Sequence, residues 1–187
     1  RENQLKTEKR SVYQTRQKNK SLKKKITNGK KIKKIWKKYK VKLIINDEPF
    51  LALKLDAYGC HLGQNDMDIK KAKKLLGKKI IGVTCHNSIN LAKKAIKYKV
   101  SYIGFGAFYS SKTKKTKYVA SIKILQKVKK LTKIPIVAIG GINSDNYKNL
   151  LLNKANFLAI SSYIWRNKKY KPLKAIERLK WKLMLEK

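Results

Sequence analysis

The sequence is poor in acidic residues, arginine, cysteine and proline, and these shortages exclude several classes of protein. Its 187 residues include 10 Asp and Glu, 5 Arg, 2 Cys and 3 Pro. Two cysteines, Cys60 and Cys85, cannot build the disulfide framework of a small secreted domain, and they lack the spacing of a metal site. No apolar run of about 18 residues occurs, so we expect no transmembrane helix and no membrane partner.

Lysine dominates what is present. The 49 Lys and Arg residues against 10 Asp and Glu give a formal net charge of +39. Such a charge is typical of nucleic-acid-binding proteins. However, phosphate recognition with a fixed geometry favours Arg, and the sequence contains no helix-turn-helix, zinc or ribonucleoprotein motif. We therefore interpret most of the lysine as solvent-facing composition, and nucleic acid is not expected as a partner.

The hydrophobic share of 42% is too high for a disordered polycation, and the length favours one domain over residues 1–187. Residues 1–11 are polar and are expected to be disordered or a remnant of an earlier unit. The chain begins with Arg1 rather than Met, as a fragment or a processed chain would, and its start has no apolar signal-peptide core. The expected location is the cytoplasm, and a homo-oligomer is left open.

Short apolar runs alternate with helical periodicities along the whole chain. The predicted strands are 12–16, 41–45, 57–62, 79–83, 100–105, 134–139 and 157–161. The predicted helices are 21–40, 50–55, 69–76, one that opens at Ser88, 121–131, 144–152 and 173–185. Ser88 and Ser144 are candidate N-caps, and Gly29 is expected to weaken the first helix. Seven strands, each followed by a helix, predict an α/β fold with a parallel sheet, either doubly wound or a (β/α)8 TIM barrel.

Polar residues and glycines are concentrated where the predicted strands end. No Gly-x-Gly-x-x-Gly motif follows the first strand, which counts against a dinucleotide-binding sheet. In a barrel the carboxyl ends of all strands meet on one face, where the active site is built. The residues that would meet there are Asn46, Asp47, Gln64, Asn65, Asp66, Thr84, Cys85, His86, 110–114, Gly140, Gly141, Ser161 and Ser162.

Two carboxylates among these residues indicate a metal. Asp47 and Asp66 follow successive strands, and Mg²⁺ is normally held by one or two carboxylates beside a phosphate. The alternative role for both residues is N-capping of the helices that follow. His61 and His86 are either proton carriers or structural residues, and Cys85 is interpreted as an inert thiol.

Other residues suit an anionic ligand. Gln14, Arg16 and Lys18 alternate, so their side chains project to the same side of an extended strand. The last two strands are followed by residues that can cradle a phosphate: Gly140, Gly141, Ser161 and Ser162. The residues therefore predict a Mg²⁺-assisted site for phosphorylated small molecules.

Six sequence blocks, in this order, resemble the thiamine-phosphate synthase/TenI family of small (β/α)8 barrels. The blocks are 14–18 (QTRQK), 43–47 (LIIND), 59–66 (GCHLGQND), 81–86 (IGVTCH), 102–106 (YIGFG) and 138–142 (AIGGI). The resemblance extends from residue 13 to residue 165. It implies a TIM barrel that lacks its first β-α unit or is truncated there, because only a short polar segment precedes the first block.

The resemblance also implies an activity. Synthases of that family join a pyrimidine methyl diphosphate to a thiazole phosphate, which yields thiamine phosphate and diphosphate. The implied protein is a Mg²⁺-dependent transferase of thiamine biosynthesis with these two substrates as partners. Two alternatives stay open: a TenI-type thiazole tautomerase, and a degenerate, non-catalytic barrel that binds polyanions.

The resemblance assigns roles to individual residues of this sequence. The implied catalytic residues are Arg16, Lys18 and Lys114. The implied Mg²⁺ ligands are Asp47 and Asp66. The implied substrate-binding residues are Gln14, Asn46, Thr84, Ser111, Thr113, Gly141, Ser161 and Ser162.

Overall fold

The structure is a computed structural model, in which residues 12–17, 20–110 and 118–184 are described. The chain divides into two compact units, the first ending at Val83 and the second beginning at Thr84. The single domain expected over residues 1–187 stays a prediction, and the disorder expected for residues 1–11 lies outside the described residues. Among the described residues, no helix combines the length and the apolar character that crossing a bilayer requires.

The first unit is built on a ladder of parallel strands. Its strands are β1 (Val12–Thr15), β2 (Lys42–Asn46), β3 (Gly59–Leu62) and β4 (Ile80–Thr84), the last residue of β4 being the first of the second unit. The helices that connect these strands are α1 (Leu22–Lys38), α2 (Pro49–Lys54) and α3 (Ile69–Leu76). Each strand pairs in parallel with the next, so their carboxyl ends lie along one edge of the ladder.

The apolar runs of these strands form the core of the first unit. Leu43, Ile44 and Ile45 are three consecutive residues of β2, and each is at most 2% exposed. A strand buried on both faces in this way is typical of a parallel sheet covered by helices. Leu51 and Leu55, in and just after α2, are equally buried.

The second unit repeats the same alternation. Its strands are β5 (Tyr102–Phe105), β6 (Ile136–Ile139) and β7 (Phe157–Ala159), which pair in parallel in sequence order. Its helices are α4 (Ile89–Lys97), α5 (Lys123–Leu131), α6 (Tyr147–Leu152), α7 (Ser162–Trp165) and α8 (Pro172–Met184). Phe105, Leu125 and Leu150 are fully buried between strands and helices. The predicted strand–helix alternation is thus confirmed in both units.

Helix starts show where local sequence signals succeed and fail. The Ser88 hydroxyl accepts a hydrogen bond from the Leu91 N–H at 3.3 Å, so the predicted N-cap of α4 is confirmed. The N-cap predicted at Ser144 is wrong, because α6 begins at Tyr147. The Asn143 side-chain oxygen accepts hydrogen bonds from the N–H groups of Asp145 and Asn146, in a turn that precedes the helix. The short helix α7 was not predicted at all.

Candidate active site

The ends of β1 and β2 carry a connected set of polar side chains. The Gln14 amide donates a hydrogen bond to the side-chain carbonyl of Asn46, and the Asn46 amide donates to the carboxylate of Asp47. The Arg16 Nε donates to the other carboxylate oxygen of Asp47 at 3.1 Å. Four residues from two separate sequence blocks, Gln14, Arg16, Asn46 and Asp47, are therefore joined in one network, hereafter the Asp47 network.

The backbone fixes the position of Asp47. Its φ of 67° lies in the left-handed region, which Asp tolerates better than most residues with a side chain. Its N–H donates to the carbonyl oxygen of His61 at 2.8 Å. This bond ties the residue after β2 to β3, so the carboxylate is held at the edge where the strands end.

Asp66 brings a second carboxylate to the same place. Its Oδ2 accepts a hydrogen bond from the Gly63 N–H at 2.6 Å, in the turn after β3. Burial raises the pKa of Asp66, the Gly63 N–H lowers it, and the neighbouring Asp47 carboxylate raises it again, while Arg16 acts in the lowering direction. The direction that results is upward, because burial and a like charge both disfavour a second ionised carboxylate.

This pair of carboxylates has the chemistry of a magnesium site. The described residues contain no cluster of three or more His, Cys, Asp or Glu side chains able to hold a metal by themselves. Mg²⁺ does not need such a cluster, because it keeps several waters and is commonly bound through one or two carboxylates together with substrate phosphates. A cation between Asp47 and Asp66 would also relieve the repulsion that raises the pKa of Asp66. The two residues therefore fit Mg²⁺ bound jointly with a phosphorylated ligand.

His61, Cys60 and Cys85 are neutral near the strand ends, and neither cysteine is an activated nucleophile. His61 is 9% exposed, and burial lowers its pKa to about 4 against an opposing effect of Asp66. Burial raises the pKa of Cys60 to about 12, with the charges of Asp47 and Asp66 adding to it, and burial alone raises the pKa of Cys85 to about 12. At neutral pH the imidazole is uncharged and both thiols stay protonated, which supports the interpretation of Cys85 as inert.

The second unit has a glycine turn at the end of β6. Gly140 and Gly141 have φ values of 101° and 64°, both in the region that favours glycine. The Tyr109 N–H donates to the Gly140 carbonyl at 3.1 Å. A Cβ on Gly141 would lie 2.3 Å from the Ser110 carbonyl oxygen. Glycine is required here because the backbone of residues 109–110 passes directly against the turn.

Serines lie beside this turn at the end of β7. Ala159 pairs with Ile139, so Ser161 and Gly141 each follow the same paired position by two residues. Ser161 is the N-cap residue of α7 and Ser162 is its first residue. The structure thus brings three of the predicted phosphate-binding residues to one end of the strands in the second unit.

The remaining predicted residues are placed only in part. Thr84 is the last residue of β4 and is half-buried. The other four are Lys18, Ser111, Thr113 and Lys114, which lie outside the described residues. Their roles stay predictions.

Sequence reasoning missed a set of side chains that shape the glycine turn. The Tyr109 hydroxyl donates to the Asn146 carbonyl at 2.9 Å, and burial raises the pKa of Tyr109. The Asn146 side chain accepts from the Asn143 N–H at 2.9 Å and donates to the Gly141 carbonyl at 3.1 Å. Two asparagines spaced three residues apart after a glycine pair were the available signal, because Asn side chains commonly close turns on their own backbone.

The sequence matches one protein family and its curated members along most of the chain. Residues 2–164 match the model of a family described as thiamine monophosphate synthase. The chain is 64% identical over 176 residues to the thiamine-phosphate synthase of Pelagibacter ubique (strain HTCC1062), which covers 94% of this chain and 85% of the relative. It is 39% identical over 171 residues to the thiamine-phosphate synthase of Persephonella marina (strain DSM 14350 / EX-H1), covering 91% of this chain and 80% of the relative.

A solved structure is similar along nearly the same length. The thiamine phosphate pyrophosphorylase from Pyrococcus furiosus superposes with a TM-score of 0.84 at 30% sequence identity. The match covers 94% of this chain and 83% of that one. This likeness confirms the predicted TIM-barrel type of fold.

Proposed function

The chain belongs to the thiamine monophosphate synthase family, and we propose that it couples a pyrimidine methyl diphosphate to a thiazole phosphate, producing thiamine phosphate and diphosphate. It is thus a transferase of the diphosphorylase type in thiamine biosynthesis. The observation that carries the proposal is the Asp47 network with Asp66 beside it. It combines two carboxylates, one guanidinium and two amides, which are the groups that a diphosphate with a polar ring requires.

The pyrimidine diphosphate substrate is assigned to residues at the ends of β1, β2 and β4. Gln14 and Asn46 offer amide donors and acceptors to the pyrimidine ring, whose nitrogens and amino group need both. Arg16 offers further N–H donors beside the one that contacts Asp47 at 3.1 Å, and these suit phosphate oxygens. Thr84, at the end of β4, is assigned to the diphosphate. Lys18 and Lys114 complete this set as residues outside the described part of the chain.

Mg²⁺ is assigned to Asp47 and Asp66. When bound, the ion supplies positive charge to the diphosphate oxygens as the leaving group departs. The protein holds the two carboxylates in place through the Gly63 N–H on Asp66 and through Arg16 and Asn46 on Asp47. These contacts orient the ligand oxygens before a metal arrives, as hydrogen-bonded carboxylates commonly do in metal sites.

The phosphate of the thiazole substrate is assigned to the second unit. Gly141 and the pair Ser161 and Ser162 lie at one end of β6 and β7, and backbone N–H groups and hydroxyls are good phosphate donors. Ser111 and Thr113 are assigned to the same phosphate from outside the described residues. The tight approach of the Ser110 carbonyl to Gly141 explains why a residue with a side chain cannot replace this glycine.

The proposed reaction needs no protein nucleophile. The C–O bond between the pyrimidine methylene carbon and the diphosphate breaks, and both electrons go to the diphosphate oxygen. The methylene cation left behind is captured by the lone pair of the thiazole nitrogen, which forms the new C–N bond. The chain contributes positioning and cationic groups for the leaving diphosphate. This agrees with the protonated thiols and the neutral His61 at the strand ends.

We also propose that the protein works in the cytoplasm. Cys60 and Cys85 are both free and buried. Unpaired thiols of this kind are typical of a reducing compartment such as the cytoplasm, where phosphorylated metabolites are also made.

An assay with both substrates tests the function and the metal site together. The purified protein is incubated with pyrimidine methyl diphosphate, thiazole phosphate and Mg²⁺, and thiamine phosphate and diphosphate are quantified. We expect Asp66→Ala and Asp66→Asn to lower turnover about a hundredfold or more, since charge stabilisation of the leaving group is lost. Asp66→Asn keeps an oxygen that can accept from the Gly63 N–H, so it is the variant in which loss of folding is least expected.

Asp68→Ala is the matched control. Asp68 caps α3 by accepting from the Lys70 N–H at 2.8 Å, so its loss costs stability of about 1 kcal/mol and leaves turnover unchanged. Absence of thiamine phosphate from a folded wild-type protein would contradict the proposed function. Conversion of a thiazole tautomer without the diphosphate substrate would assign the TenI-type activity instead. Full turnover in Asp66→Asn would remove the metal assignment alone.

A further inference from the structure

The first unit holds a basic cavity at the end of its strands that the proposed reaction does not use. The cavity has a volume of about 620 Å³ and is lined by the end of α1 and by the amino-terminal ends of β2, β3 and β4. The candidate active site lies at the carboxyl ends of the same strands. Since β2 has five residues, the two sites are separated by roughly 15 Å along the strand.

Five lysines line this cavity and only one carboxylate does. The lysines are Lys37, Lys40, Lys42, Lys78 and Lys79, and the carboxylate is Asp56. Asp56 is already paired, because it accepts from the Lys79 Nζ at 2.8 Å and lies 3.8 Å from the Nζ of Lys33, outside the cavity lining. The single negative charge therefore acts mainly on Lys79 and Lys33 and more weakly on Lys37, so it offsets little of the positive charge of the other lysines.

Three of the lysines are exposed and are not engaged in a salt bridge in the described part of the chain. Lys37, Lys40 and Lys78 form no salt bridge there, and each lies where a helix or strand begins or ends. Like charges that lie close together repel one another, and a surface lined by charges of one sign attracts ions of the opposite sign. An anion in the cavity would relieve this repulsion.

Aromatic side chains contribute to the same cavity. The Lys42 Nζ donates to the Tyr58 hydroxyl at 2.9 Å and lies 4.4 Å from the centre of the Tyr58 ring, which orients the ring. Tyr58 is 42% exposed, so its ring is open to a ligand. Trp36, from the end of α1, also lines the cavity, but it is only 9% exposed, so Tyr58 supplies most of the accessible ring surface. The lining thus offers positive charge together with ring surface.

We propose that the basic cavity binds a small polyphosphorylated anion, through Lys37, Lys40 and Lys78. Its volume is in the range of small-molecule sites, which is roughly 300–1,000 Å³. Inorganic diphosphate and the phosphate chain of a nucleotide share the required chemistry. The two sources differ in that only a nucleotide carries a ring that could contact Tyr58.

Lysine footprinting tests the proposal at the level of single residues. The protein is acylated under limiting reagent with increasing inorganic diphosphate, or with increasing ADP, in the absence of divalent cations, and each lysine is followed by mass spectrometry. We expect acylation of Lys37, Lys40 and Lys78 to slow several-fold with saturation. The matched controls, exposed lysines of α1 and α3, should not respond: Lys31, Lys70 and Lys74.

Binding variants provide the second measurement. Binding in the cavity is read from the protection of Lys42 and Lys79, which line it and stay unchanged. The triple variant K37Q/K40Q/K78Q should weaken this binding about tenfold, whereas K31Q/K70Q/K74Q, with the same charge change, should weaken it less than about twofold. Tighter binding of ADP than of diphosphate would assign the nucleotide, and equal or weaker binding of ADP would assign the phosphates alone. Equal protection of all six lysines, as a counterion atmosphere or a nucleic acid would give, would overturn the proposal, as would no protection.

The cavity shares no residue with the candidate active site. Thiamine phosphate formation by K37Q/K40Q/K78Q is therefore expected to stay within about twofold of wild type at saturating substrate. A failure of the footprinting test leaves the proposed function untouched, and a failure of the synthase assay leaves the cavity proposal untouched.

Discussion

His61 illustrates how the surroundings of one residue set its protonation. The side chain is 9% exposed at the end of β3, and its backbone carbonyl holds the N–H of Asp47 at 2.8 Å. Burial lowers the pKa of His61 to about 4, although the Asp66 carboxylate acts in the opposite direction. Desolvation of the imidazolium outweighs the attraction of the carboxylate, so His61 is neutral in the folded protein near pH 7.

A stability change with pH follows from this shift. The unfolded chain binds a proton at His61 below a pKa of 6.5, and the folded chain binds it only below about 4. The unfolded state therefore gains protons first, and stability is lost as the pH falls between these values. We expect protonation of His61 in the unfolded state to lower the free energy of unfolding by roughly 2 kcal/mol as the pH falls from about 7 to about 5.

Urea unfolding of His61→Gln, without divalent cations, measures this contribution. Between about pH 7 and about pH 5, the free energy of unfolding of the variant should change much less than that of the wild type. His86→Gln is the matched control, because it removes the other of the 2 histidines in the sequence. Identical pH dependence in wild type and His61→Gln would mean that the imidazole titrates normally in the folded protein.

At the scale of helices and strands, Gly29 of α1 shows how packing can require a glycine inside a helix. Gly29 lies inside α1, where glycine weakens an isolated helix, yet the helix continues unbroken from Leu22 to Lys38. Gly29 is buried, and a Cβ there would lie 2.3 Å from one methyl carbon of Leu55 and 2.7 Å from the other. Leu55 is 2% exposed, so it has little room to move. The glycine thus allows α1 to pack closely against the end of α2.

This contact reverses the usual effect of replacing a helical glycine. In an exposed helix Gly29→Ala would stabilise the protein by about 1 kcal/mol, but here overpacking should destabilise it by about 1–3 kcal/mol. Chemical denaturation of Gly29→Ala, Leu55→Ala and the double variant gives the coupling between the two sites. We expect Leu55→Ala to cost less in the Gly29→Ala background, because the new methyl group occupies part of the cavity.

Lys30→Ala serves as the neighbouring control in the same helix. Lys30 is exposed, so its substitution should change the unfolding free energy by less than about 0.5 kcal/mol. An increase in stability for Gly29→Ala would show that α1 and Leu55 are not in close contact.

At the scale of the whole molecule, the dominant property is the net charge of +39. Ion pairs formed by described carboxylates include Arg16–Asp47, Lys25–Glu48, Lys33–Asp56, Lys79–Asp56, Lys174–Glu177 and Lys182–Asp145. With 10 acidic residues against 49 basic ones, the positive charges outnumber the negative charges about fivefold. The resulting positive field attracts anions, and both proposed substrates are phosphorylated.

The rate of substrate capture should therefore depend on salt. Raising ionic strength from about 0.01 M to about 0.3 M shortens the screening length several-fold, so we expect kcat/KM to fall about tenfold while kcat changes little. Steady-state kinetics in potassium chloride measures both quantities. A kcat/KM that is independent of salt would show that the lysine field plays no part in capture. Duplex DNA binding that stays micromolar at about 0.15 M salt would instead support a polyanion-binding role.

The candidate site could be predicted in its residues but not in its connections. Asp47 and Asp66 stand out in the sequence because carboxylates are scarce and these two follow predicted strands. Their interaction, and the upward shift in the pKa of Asp66, depend on how β2 and β3 place them. The hydrogen bond from Gln14 to Asn46 joins residues 32 positions apart, and no local pattern specifies such a contact.

The sequence by itself determined the order of strands and helices and the shortage of negative charge. Both are local properties, since the period of apolar residues selects each element and composition needs no fold. Tertiary structure alone decided that Gly29 is a packing residue, that Ser144 caps no helix and that lysines at the starts of β2 and β4 line one cavity. These outcomes depend on distances between residues far apart in the chain, which packing sets and which sequence spacing does not.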